Sequence, residues 1–87
     1  MQRVTIRLLM AEQVKQFVNI IARYNCEIDL RSGRHVVDAK SILGIFSLDL
    51  SRPLTLEIQG EDPEEINSLM AAIKDFVEDI ATPPTQI

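Results

Sequence analysis

The apolar residues of this 87-residue chain switch between two spacings, and that alternation limits the folds open to it. A period of two marks a strand with one buried face; a period near 3.6 marks a helix with one buried stripe. Met1 to Leu9 reads as a strand, with Val4, Ile6 and Leu8 on one face and Thr5 and Arg7 on the other. From Glu12 the period changes. Val14, Phe17, Val18 and Ile21 follow the stripe of an amphipathic helix running to about Tyr24. Cys26, Ile28 and Leu30 then alternate with Glu27, Asp29 and Arg31, a strand with one face in water.

Ser32-Gly33 is a tight-turn dipeptide, so Arg34 to Asp38 is expected to return antiparallel, although Val36 and Val37 lie side by side and pattern it weakly. Ser41 suits a helix N-cap, and Ile42, Ile45 and Phe46 follow at helical spacing to about Leu48. Asp49 to Pro53 is a loop. Leu54, Leu56 and Ile58 form a fourth alternating strand, ending at Gly60. The last element opens with Asp62 as N-cap, Pro63 in the first helical position and Glu65 placed for a capping box. Its stripe of Ile66, Leu69, Met70, Ile73, Phe76, Val77 and Ile80 predicts a helix of four turns. Residues 82–87 read as a flexible tail beyond a single domain of residues 1–81. The order β-α-β-β-α-β-α buries every apolar face if a four-stranded antiparallel sheet is covered on one side by three helices, an α+β fold.

Composition narrows the function classes without naming one. Nine Lys and Arg against thirteen Asp and Glu leave a net charge of −4, against a nucleic-acid partner. One cysteine closes no disulfide within the chain and builds no zinc site. The apolar run Ile42 to Phe46 is far short of the ~18 residues that span a bilayer, and Arg3, Arg7 and Glu12 break any leader-like core. The expectation is a cytoplasmic domain that needs no cofactor or metal and contacts neither membrane nor nucleic acid.

The stretch Asp38-Ala39-Lys40-Ser41-Ile42-Leu43-Gly44-Ile45-Phe46-Ser47-Leu48 resembles the second-helix motif of HPr, the histidine-containing phosphocarrier family of the bacterial sugar phosphotransferase system. Tyr24-Asn25-Cys26-Glu27-Ile28-Asp29-Leu30 is similar to that family's first-helix exit and second strand. Gly33 sits at its hairpin, and Asp62 onward resembles its C-terminal helix. The resemblance implies the HPr open-faced β-sandwich. Aligned without gaps, the family's histidine-alanine-arginine-proline segment falls on Met10, Ala11, Glu12 and Gln13, with Leu8-Leu9 replacing the glycine-bearing loop before it.

On that alignment a thioether stands where phosphoryl carriage needs an imidazole, and a carboxylate stands where an arginine helps hold the phosphate. The expectation is a non-enzymatic HPr-like protein without histidine phosphotransfer, with a protein partner and a state of monomer or weak homo-oligomer. The family implies Ser41 as a regulatory phosphorylation position and Ile42, Leu43 and Phe46 as a docking patch. It includes a catabolite-repression paralogue that lacks the histidine and keeps the serine. The plainer readings remain open: Ser41 as a cap only, Phe46 as core, and a vestigial paralogue with no phosphorylation.

His35, the single histidine, reads as a surface imidazole, the other reading being a displaced phosphoacceptor. Cys26 alternates inward as an inert thiol. Glu61, Asp62, Glu64 and Glu65 offset a helix dipole without calcium-loop spacing. Arg31 and Arg34 flank the turn and are expected to face water.

Overall fold

Four strands pair into one antiparallel sheet in the computed structural model, which describes residues 1–78. The strands are β1 (Gln2–Ile6), β2 (Glu27–Ser32), β3 (His35–Asp38) and β4 (Leu54–Gln59), in the spatial order β1-β4-β2-β3. Val4, Leu56, Leu30 and Val37 share one row across the sheet. The helices α1 (Ala11–Ile21), α2 (Ile42–Phe46) and α3 (Pro63–Ala72) supply the second layer. The strand residues Ile6, Ile28, Leu30, Leu54, Leu56 and Ile58 join Val14, Phe17, Ile21, Ile45 and Leu69 in a single buried cluster. Each fully buried Leu, Ile or Phe contributes about 1.5–3 kcal/mol of transfer free energy, so this cluster dominates the stability. This is the helix-covered antiparallel sheet expected of the alternation and the open-faced sandwich that the resemblance implies.

The hairpin turns at Gly33, whose φ of +61° is the only positive value among the described residues. With Ser32 opposite His35 and only Gly33 left-handed, the two-residue loop has the pattern of a type II′ turn, whose twist matches that of the strands. Asp62 caps α3 as expected, its carboxylate accepting from the Glu64 amide at 3.0 Å. Glu65 does not complete the capping box. Its carboxylate accepts from the Asn25 amide at 2.9 Å, fastening the start of α3 to the loop before β2.

The largest departure concerns the last helix. Its stripe predicts four turns through Ile80, yet α3 ends at Ala72 and a 3₁₀ turn spans Lys74–Phe76. Val77 is extended and bridges Ile6 antiparallel. The Phe76 carbonyl accepts from the Arg7 amide at 2.8 Å, and the Glu78 amide donates to the Thr5 carbonyl at 2.9 Å. An edge strand presents unpaired backbone groups, and meeting them here outweighs continuing the helix. Ile80, the domain end at 81 and the tail 82–87 lie outside the described residues. The remaining differences are at element ends: β1 stops at Ile6 rather than Leu9, α1 at Ile21 rather than Tyr24, and α2 at Phe46 rather than Leu48.

Candidate functional site

The segment aligned with the phosphoacceptor motif opens α1. Met10 is the N-cap residue, with extended backbone, and its side chain is exposed. Gln13, at the third helical position, reaches back as the glutamine of a capping box does: its Oε1 accepts from the amides of Leu9 at 2.6 Å and Met10 at 3.2 Å. Two amides that lead into the helix are thereby turned inward to a neutral side chain. Glu12 lies exposed in the first turn, where a carboxylate complements the helix's positive end. It forms no ion pair among the described residues. An approaching phosphate dianion would meet that carboxylate and two apolar side chains, Leu9 and Met10, which are 64% and 63% exposed.

The residues leading into α2 each have a local task. The Asp38 carboxylate accepts from the Lys40 amide at 2.9 Å, and the Asp38 carbonyl accepts from the Ser41 amide at 2.9 Å. Ala39 is fully buried and donates its amide to Ile28. Lys40 Nζ donates to the Tyr24 carbonyl at 2.6 Å, tying this turn to the loop after α1. Ser41 Oγ accepts from the Gly44 amide at 3.1 Å, the N-cap its position predicts. A Cβ on Gly44 would lie 3.1 Å from Ser41 Oγ and 3.2 Å from Val37 Cβ, so the glycine lets α2 press on β3. Ile45 is buried and Ile42 half-buried against the core. Leu43 is the exception. It is 80% exposed, and Phe46, one turn on, is 43% exposed.

Of the three residues expected at a docking patch, two therefore face solvent and Ile42 belongs largely to the core. His35 is exposed at the hairpin end of β3, three strands from β1 and about 14 Å across the sheet from Ile6. Cys26 is buried, and burial together with the nearby Glu65 carboxylate pushes its thiol up, away from thiolate chemistry. A cleft of about 320 Å³ beside it is lined by Lys40 and the carboxylates of Glu27, Asp29 and Asp38. No group of three metal-ligating side chains occurs among the described residues, and no described helix is long and apolar enough to cross a membrane.

Arg31 does not simply face water. Its Nε donates to Glu57 Oε2 at 3.2 Å, and Arg3 Nε donates to the same oxygen at the same distance. Glu57 is 5% exposed, the one buried charge among the described residues, and the Arg31 hydrogen bond leads the causes that hold its carboxyl below the usual value. The alternation of β4 marked Glu57 as polar-facing. Only the strand order shows that two arginines flank it.

A four-stranded open-faced sandwich with two capped helices and this second-helix motif defines an HPr-type fold. The family model described as "PTS HPr component phosphorylation site" matches residues 5–79. The HPr-like protein Crh of Bacillus subtilis (strain 168) is 37% identical over 76 residues, covering 82% of this chain and 89% of Crh. HPr-C-His from Thermoanaerobacter tengcongensis superposes with a TM-score of 0.69 at 29% identity, over 86% of this chain and 92% of that one. The crystal structure of Crh, described as a swapping domain in an intertwined dimer, gives 0.60 at 32% identity, over 80% and 84%. The chain belongs to the HPr family.

Proposed function

We propose that this chain is an HPr-like protein that acts by binding another protein, is regulated by phosphorylation at Ser41, and carries no phosphoryl group on histidine. One observation carries the reading. Within the second-helix motif the other side chains cap, tie or pack the helix, whereas Leu43 stands 80% exposed with Phe46 beside it. Adjacent exposed apolar groups that the fold does not require support a contact surface, as an isolated one does not. The opposite ligand is disfavoured at α1: Met10 offers no nucleophilic nitrogen, and Glu12 repels a dianion where a cradle would attract one. Ser41 is exposed, and a phosphoryl group there would meet amides at the start of α2.

Two incubations test this. Phosphoenolpyruvate with the phosphotransferase system's first enzyme should leave the mass of the chain unchanged at neutral or alkaline pH, whereas ATP with the family's serine kinase should add one phosphoryl group at Ser41. An acid-labile phosphohistidine, at His35 or elsewhere, would overturn the first claim. An unmodified Ser41 would overturn the regulatory one and leave a chain that is only a binding module or a vestigial paralogue.

Self-association through an exchanged segment is a second reading. It is favoured by β1, an edge strand joined to α1 by Arg7 to Met10 alone, and by the swapped dimer described for Crh.

A further inference from the structure

β3 is the outer strand on the side of the sheet away from β1, and its free edge has the form of half a ladder. The two-residue loop closes on Ser32 opposite His35, a hydrogen-bonded pair, and antiparallel pairs then alternate. Leu30 and Val37 are bonded; Arg31 with Val36 and Asp29 with Asp38 are not. The Ala39 amide, which donates to the Ile28 carbonyl, continues the same alternation. The amide and carbonyl of Val36 and the amide of Asp38 therefore point away from the sheet. The Asp38 carbonyl is taken by the Ser41 amide. Val36, in the middle of this edge, is 43% exposed.

The two ends of the edge carry opposite charge. Arg34 is exposed in the turn and forms no ion pair among the described residues. At the other end Asp38 lies directly opposite Asp29, which lies directly opposite Glu57. Like charges in that relation oppose one another. Arg3 and Arg31 take Glu57, and Gln59 Nε2 donates to Asp29 at 3.3 Å, but no cation pairs with Asp38 among the described residues. The cleft of about 320 Å³ opens here. It sets Asp38, Asp29 and Glu27 against the ammonium of Lys40, whose Nζ is already held by the Tyr24 carbonyl.

We propose that the β3 edge binds an extended segment of a protein partner as an added antiparallel strand, with a basic residue beside Asp38, an apolar residue opposite Val36 and an acidic residue beside Arg34. In chain order the segment reads basic-x-apolar-x-acidic. The outward backbone groups give affinity, and the two charges set direction and register. A second copy fits less well. Two copies joined at this edge would carry both helical layers on one face, and α2 presses on Val37 of β3 through Gly44. Paired strands lie about 4.8 Å apart, whereas packed helix axes need about 8–10 Å. A single extended segment brings no helix with it. The site goes beyond the binding role proposed for α2 and does not use Leu43.

The probe is a blocked peptide, threonine-lysine-threonine-valine-threonine-glutamate-threonine, added to the isotope-labelled chain. The amide resonances of Val36 and Asp38 should shift saturably, with those of Gln2 to Ile6 unchanged. The peptide with lysine and glutamate exchanged should bind about fivefold more weakly, because two attractive contacts become like-charge ones. Methylating the valine nitrogen removes the donor to the Val36 carbonyl and should abolish the shifts. Arg34→Glu should erase the preference between the two peptides, since each then meets one favourable and one unfavourable charge. Leu43→Glu should leave peptide binding unchanged.

Shifts confined to β1, or equal binding of the two peptides to the wild-type chain, would overturn the proposal. Shifts of Val36 and Asp38 on concentrating the chain alone would make a second copy the occupant and overturn it equally. Loss of peptide binding in Leu43→Glu would overturn the β3 site in favour of α2, whereas unchanged binding there keeps the two surfaces distinct.

Discussion

Phe17 of α1 meets Phe76 edge to face, with ring centroids 5.7 Å apart and planes at 82°. That geometry directs the electropositive edge of one ring at the face of the other, and both rings are buried. The contact explains why the chain leaves the helical path after Ala72: Phe76 points at α1 from a 3₁₀ turn, and the next residue can reach β1.

Phe76→Ala should therefore loosen more than one side chain. A loss of about 3–5 kcal/mol is expected from the removed ring and the space it leaves, against under about 1.5 kcal/mol for Phe76→Leu. Chemical denaturation of the two variants measures the gap. Equal midpoints would mean that the aromatic pair is incidental.

Glu57 gives the stability a pH dependence whose sign follows from its arginines. Its folded pKa lies below the ordinary 4.5, with the Arg31 hydrogen bond the leading cause. The stabilisation is thus fully present above about pH 4.5 and is lost as pH falls through the lower folded value. Thermal melts from pH 7 to pH 3 should show wild type above Glu57→Gln at neutral pH, with the difference shrinking only in the acid range. A constant difference would place the effect elsewhere.

Gly44→Ala tests a local steric argument. Helix propensity alone favours alanine by about 1 kcal/mol. The new Cβ would meet Ser41 Oγ at 3.1 Å and Val37 Cβ at 3.2 Å, one engaged in the cap and the other in the sheet. The expected outcome is a lower melting temperature. A higher one would show that α2 can lift from β3 freely.

At α1, Met10→His supplies a nucleophile and leaves the opposing carboxylate in place. Phosphoryl acceptance from the first enzyme of the system should remain slight in the single variant and rise when Glu12→Arg is added, non-additively because both act on one phosphate. Equal acceptance by single and double variants would refute the role given to Glu12.

Leu43→Glu tests the proposed contact surface apart from the core. At 80% exposure the change should alter stability by no more than about 0.5 kcal/mol, while placing an unpaired charge in any apolar contact made there. A thermal melt beside a pull-down reads both. A variant that folds and retains every partner would overturn the proposed role of Leu43.

Much of this architecture is legible in local spacing. Period-two alternation locates β1, β2 and β4, Ser32-Gly33 the hairpin and with it β3, Ser41 and Asp62 the caps, and the second-helix motif the family. These are short-range features, decided by residues within one or two turns of each other. What escaped the sequence depends on neighbours distant along the chain. Ile73, Phe76 and Val77 keep helical spacing, and no glycine or proline stops the helix. The open edge of β1 and the ring of Phe17 nevertheless take those residues away from it. Glu65 fits a capping box, yet the amide it reaches belongs to Asn25, forty positions earlier. Glu57 and Arg31 are simply polar residues of two strands until the order β1-β4-β2 sets the carboxylate between Arg31 and Arg3. Periodicity states which face a residue occupies, whereas its partner is chosen by chain topology, because hydrogen-bonding groups at an edge or beneath a surface must be met by whatever the fold brings near.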